Sequence, residues 1–248
     1  MTDADWPPAV TTRNEGGLSP FVLLCEHASR HIPSEYANLG LPEAEVRRHI
    51  GWDIGAADVA TRLSDRLDAP LFLAGYSRLL IDLNRPPHSR TLIPARSEST
   101  EIPGNLNLDS AERQRRIERI FTPFHHRVAG VLDDRLARGV PTILVTVHSF
   151  TPVYLGKSRP WHAGILFDRS EAFARRLIER LSAETDLVIA ANEPYRITAD
   201  EDYAIPLHGE ARGLDAVLIE IRNDGIDTIE GARRWAERLA AALAPEAG

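Results

Sequence analysis

Two runs, TILVTVH (142–148) and AVLIEIR (216–222), are apolar on both faces for most of their length. Successive side chains of a strand point to opposite faces, so a strand without a polar side must be covered above and below. The rest of the chain supplies that cover. Further short apolar runs, FVLLCE, PLFLAG, RLLIDL, AGILFD and LVIAA, alternate with amphipathic helical stretches over 42–67, 110–138, 170–184 and 229–244. The alternation predicts an α/β fold: a single-domain three-layer sandwich with a mostly parallel mixed sheet and helices on both faces. Residues 1–18 mix polar residues with Pro7, Pro8, Gly16 and Gly17 and show no apolar period, which predicts a flexible arm ahead of one domain over 19–248. Residues 86–107, rich in Pro, Ser and Thr, read as a long loop of the kind that covers a site.

Composition narrows the function. The 248 residues, 43% hydrophobic, can fill a real core, and the net charge of −7 has no basic stretch to suit nucleic acid. No run approaches the ~18 apolar residues that span a bilayer. Cys25 is the one cysteine, so no internal disulfide forms, and its apolar setting suits a small buried hydrophobe in a reducing compartment. The first residues carry acids and no long apolar run, unlike a signal peptide or an anchor, so a cytoplasmic protein is expected.

Ligands of open α/β sheets bind beyond the carboxyl ends of the strands. There FVLLC runs into Glu26 and His27; RLLID into Asp82, Asn84 and Arg85; TILVTV into His148 and Ser149; and AVLI into Glu220 and Arg222. Each has an ordinary use: a histidine hydrogen-bonded after a strand, a buried Glu–Arg pair, an Asp holding a turn. Jointly they match a more demanding chemistry. Neutral imidazoles and a carboxylate hold a divalent metal, another carboxylate activates water, and a guanidinium fixes an anion.

The order of these pieces resembles the zinc carboxypeptidase superfamily: a first His after a strand, then NR, then HSF, then a Glu on a late strand. More specifically, CEHASRHIP, HIGWDIGAAD, YSRLLIDLNRP, IPGN, HSFTPVYLGKSRPW, NEPY, HGEARGL and LIEIRND resemble the N-formylglutamate amidohydrolase family from about Phe21 to Asp224. The resemblance implies a phosphorylase/hydrolase-like, zinc carboxypeptidase-related fold. It implies one zinc ion on His27 and His148, a substrate carboxylate on Asn84 and Arg85, and Glu220 as general base and then acid. The metal's identity rests on the resemblance, since manganese, cobalt or iron also suit such donors.

One position departs from the superfamily. Carboxypeptidases place a Glu ligand three residues after the first His, and here that residue is Arg30. Asp53 in HIGWDIG is the preferred replacement, against its ordinary use as a helix N-cap, with Glu26 as the rival. His31 pairs with His27 only on a helix, which Pro33 disfavours. Arg78 and Arg222 are candidates for a further substrate carboxylate or the developing oxyanion, or are salt-bridge partners of Asp82 and Glu220. His49 and His208 either orient ligands and donate protons or are structural; His88, His125, His126 and His162 receive no role. The implied partner is a small anionic N-acylamino acid, N-formyl-L-glutamate in the family's name, hydrolysed to formate and glutamate as in histidine degradation. The alternatives are an amidase or peptidase acting on acidic peptides and a non-catalytic small-molecule-binding member of the fold.

Overall fold

The computed structural model describes residues 5–183 and 186–244. Residues 1–4 of the expected arm, Glu184 at the end of the third expected helix and the last four residues of the domain lie outside these. The seven strands of the main sheet are β1 (Val10–Arg13), β2 (Phe21–Cys25), β3 (Leu71–Ala74), β4 (Ile143–Phe150), β5 (Ala163–Leu166), β6 (Ile189–Ala191) and β7 (Asp215–Arg222). Their order across the sheet is β1-β3-β2-β4-β7-β5-β6. β3, β2, β4 and β7 run parallel to one another, while β1 and the β5–β6 pair run the opposite way.

The two runs without a polar side, β4 and β7, are neighbours at the centre. Leu144 and Leu218 enter one apolar cluster together with Phe124, Val128 and Leu132 of α2 (Thr122–Ala137). Val145, Val147, Val217 and Ile219 enter the other, against α1 (Ala56–Leu67), α3 (Glu171–Ser182) and α4 (Ile229–Leu243). The three layers follow from this division. Local capping supports the long helices: the Asp109 carboxylate accepts the Glu112 N–H at 2.7 Å ahead of the Ser110–Arg116 helix that leads towards α2, and Thr228 accepts the Gly231 N–H at the start of α4. Among the described residues no helix is long and apolar enough to cross a membrane.

Two elements differ from expectation. Residues 10–13, placed in the arm by their polarity, form an edge strand paired antiparallel with β3, with Val10 opposite Ala74. An edge strand with one wet face needs few apolar residues, so composition hid it. RLLIDL is not a strand. Leu79, Leu80 and Ile81 are buried, yet Leu80 N–H donates to Ser77 O at 2.9 Å and Asp82 N–H to Leu92 O at 2.7 Å, so turn and loop hydrogen bonds replace a ladder. Burial alone does not distinguish a packed turn from a strand.

Candidate active site

Sheet register assembles the core of the site. Leu24 pairs with Thr146 and Glu220 with His148, so Glu26, His148 and Glu220 stand side by side at one height. His27 follows in the turn after β2. Asp53 arrives from the turn before α1, which passes so close to the residues ahead of α4 that a Cβ on Gly55 would lie 2.1 Å from Ile226 O; with φ +80°, glycine is required there.

Asp53 Oδ2 is the hub. It lies 2.9 Å from His148 Nδ1 and 3.3 Å from His27 Nδ1, and it accepts the Ser149 N–H at 3.1 Å. The far nitrogen of each ring meets another acid: His27 Nε2 is 2.7 Å from Asp82 Oδ1, and His148 Nε2 is 3.0 Å from Glu26 Oε2. Arg78 ties the acids together, donating to Asp82 Oδ2 at 2.8 Å and to Asp53 Oδ1 at 3.3 Å. Of the two acids open at position two of the ligand set, Asp53 therefore faces both imidazoles and Glu26 only one.

His27, Asp53 and His148 are buried, and a ligand atom from each lies within 4.8 Å of the others. This group can hold a metal ion. Both imidazoles offer the same nitrogen to the shared carboxylate while carboxylates fix their other nitrogens, an arrangement that sets the tautomer and raises ligand basicity. Burial disfavours charge on Asp53 and Asp82, but the facing imidazoles, and Arg78 beside Asp82, outweigh it and hold both carboxyls well below the usual range. Burial also opposes the His148 cation, yet Glu26 and Asp53 push that imidazole well above its ordinary value. Glu220 goes the other way. Burial, assisted by the Asp53 charge and only partly offset by His148, Arg78 and His27, raises its carboxyl to about 7, and its buried Oε2 has no hydrogen-bond partner.

These groups open onto a cleft of about 530 Å³, lined by His27, Arg78, Asn84, Arg85, His148 and Glu220 among others. The long loop contributes Thr91, Pro94 and Glu98 to its wall, as the reading of a site-covering loop expects. The N-formylglutamate amidohydrolase family model matches residues 19–226. The chain belongs to the N-formylglutamate amidohydrolase family. A solved gene product of Agrobacterium tumefaciens is 38% identical, with a TM-score of 0.92 over 97% of this chain and 94% of the other. An N-formylglutamate amidohydrolase from Ralstonia eutropha is 20% identical, with a TM-score of 0.74 over 95% of this chain and 96% of that one, and shares the fold. No curated protein sequence matches.

Within this amidohydrolase scaffold the other expected residues divide. Asn84 lines the cleft, but its side chain is largely engaged: its Oδ1 accepts the N–H groups of Tyr203 and Ala204, and its Nδ2 reaches Asp202 at 3.3 Å. Arg85 donates to Glu201 O and lies 3.7 Å from that residue's carboxylate. Arg222, expected to bind substrate, is absent from the lining. Its guanidinium pairs with Asp224 at 2.8 Å and reaches Pro160 O at 3.3 Å, because the chain turns immediately after β7 and presents these partners first. His49 lines the cleft 3.3 Å from Glu98. His208 is buried away from it, its Nε2 2.9 Å from His125 Nδ1, and burial lowers it to about 4. A neutral structural pair results.

Tyr154, Tyr195, Arg196 and Asp202 also line the cleft; HSFTPVYLGKSRPW carries Tyr154 and NEPY carries Tyr195, but neither string marks them as site residues. The 192–196 segment reaches the cleft by crossing β5 at Gly164, the partner of Glu220 in the sheet: a Cβ at Gly164 would lie 1.6 Å from Glu193 O. Gly164→Ala is therefore expected to displace this segment, lowering stability by about 1–3 kcal/mol and raising KM more than it lowers kcat. Denaturant unfolding and steady-state kinetics check it; unchanged KM in a folded variant contradicts it.

Proposed function

We propose that this protein is a metal-dependent hydrolase of N-acylated acidic amino acids, with N-formyl-L-glutamate as the favoured substrate and formate and L-glutamate as products. The observation that carries the reading is Glu220: a buried carboxyl without a partner on Oε2, raised to about 7, beside the His27–Asp53–His148 group. Zinc suits this donor set and, when bound, supplies Lewis-acid activation of water and carbonyl. Glu220 takes a proton from the attacking water and returns it to the leaving amide nitrogen. The added oxygen stays with the formyl carbon and the amine departs protonated. Arg85 offers a guanidinium to a substrate carboxylate, and Arg78 holds Asp53 and Asp82 in place. A cleft of about 530 Å³ suits a small molecule. The reading places the enzyme in histidine degradation, and its lone buried Cys25 suits a cytoplasmic setting.

The test is formate release from N-formyl-L-glutamate together with elemental analysis. About one zinc per chain and formate release that is lost on chelation and restored by zinc are expected. Formate release that survives complete metal removal overturns the metal dependence, and metal without formate release overturns the substrate.

A further inference from the structure

Most cations facing the cleft already have an acid. Arg78 has Asp53 and Asp82, Arg85 has Glu201 and Asp202, and Arg96 has Glu101. Arg196 lines the same cleft and has no hydrogen bond or ion pair among the described residues. Tyr195, which precedes it in the chain, packs against a second cation without an acid, Arg159, which is not itself among the lining residues. Arg159 is 9% exposed, its Nη1 is buried without a hydrogen-bond partner, and no carboxylate among the described residues pairs with it. Its guanidinium lies 4.6 Å from the ring centroid of Tyr154 and 4.9 Å from that of Tyr195, and both rings line the cleft.

Aromatic faces offset part of the cost of burying a guanidinium, but an orphaned N–H on a buried cation remains unfavourable. The backbone around both residues is nonetheless fixed. Asn192 Oδ1 accepts the Phe167 N–H at 2.9 Å, and the following Glu193 rests on Gly164, which sets the path to Tyr195 and Arg196. Arg222 reaches the carbonyls of Arg159 and Pro160 at 3.4 and 3.3 Å and holds that segment. A buried guanidinium with an unsatisfied N–H and an exposed one beside the same ring, both on anchored backbone, suit an anion that arrives with the ligand.

We infer that Arg196 and Arg159, both adjoining Tyr195, form a second anion subsite that receives the side-chain carboxylate of the substrate. The inference rests on the hydrolase reading for the identity of the substrate and assigns the residues that hold its second carboxylate. A planar guanidinium fork suits a carboxylate.

Calorimetric binding to Glu220→Gln tests it, with N-formyl-L-glutamate and its neutral counterpart N-formyl-L-glutamine as probes. The acid is expected to bind about tenfold tighter than the amide. Adding Arg196→Gln, a substitution of an exposed side chain, should weaken the acid by about tenfold and leave the amide within about twofold. An equal loss for both probes, a preference for the acid that survives Arg196→Gln, or no preference in the parent overturns the subsite. Formate release by the wild type is measured separately: its failure removes the hydrolase reading, while the binding difference still decides the subsite.

Discussion

Glu220→Gln is expected to lower kcat for N-formyl-L-glutamate by about 10²- to 10⁴-fold while leaving metal content unchanged, because it removes the proton acceptor and none of the ligand atoms. The same substitution should stabilise the metal-stripped protein at alkaline pH. The Glu220 carboxyl titrates near 7 when folded, against 4.5 as its ordinary value, chiefly because burial disfavours its charge. Between those values the folded chain holds a proton that the unfolded chain has released, so stability falls as pH rises through the window. Above about 7 the whole penalty is present, on the order of 3 kcal/mol, and a neutral Gln avoids it. The expected signature is a raised Tm at pH 8 and no advantage near pH 4.5. A variant that loses activity without this pH-dependent gain would show that Glu220 is not held as described.

Asp53→Asn should be the most damaging conservative change. A neutral amide in place of the hub loses its charge towards two imidazoles and Arg78, and it weakens the acceptor for the Ser149 N–H. Metal affinity is expected to fall by at least about 10²-fold, and the metal-free protein to lose about 3–5 kcal/mol, the usual consequence of breaking a buried ionic cluster from one side. Glu26→Gln is the matched comparison. It touches one imidazole on the nitrogen turned away from Asp53, so metal binding should fall less. Elemental analysis after dialysis and urea unfolding measure both. Greater metal loss in Glu26→Gln than in Asp53→Asn would reverse the assignment of the third ligand.

The core of the site was legible in sequence because chemistry sat where apolar periodicity stopped. His27, His148 and Glu220 each end or interrupt a run that has to be buried, and a polar residue there needs a reason. Asp53 was legible only as one of two options, since its approach depends on a glycine turn between distant helices. RLLIDL misled because a turn can bury three consecutive aliphatic residues while satisfying its backbone locally. Its real contribution is to set Arg78 and Asp82 against each other, four residues apart. Arg159 and Tyr195 sit in the strings HSFTPVYLGKSRPW and NEPY, but nothing in those strings shows that they and Arg196 meet. They are brought together by a close backbone crossing at Gly164, and neither residue spacing nor composition encodes which strand a loop will cross.

The row formed by Glu26, His148 and Glu220 also bears on how the chain finds its fold. Side chains alternate between the two faces of the sheet, so sliding any of the three central strands by a single residue would drive its charged member into the aliphatic layer beneath α1, α3 and α4, with no partner waiting there. The alignment that assembles the candidate site is thus the alignment the sheet can tolerate. A misaligned chain is penalised as a folding error before it can persist with a broken site, and the polar groups of the site double as the marks by which the strands are keyed to one another.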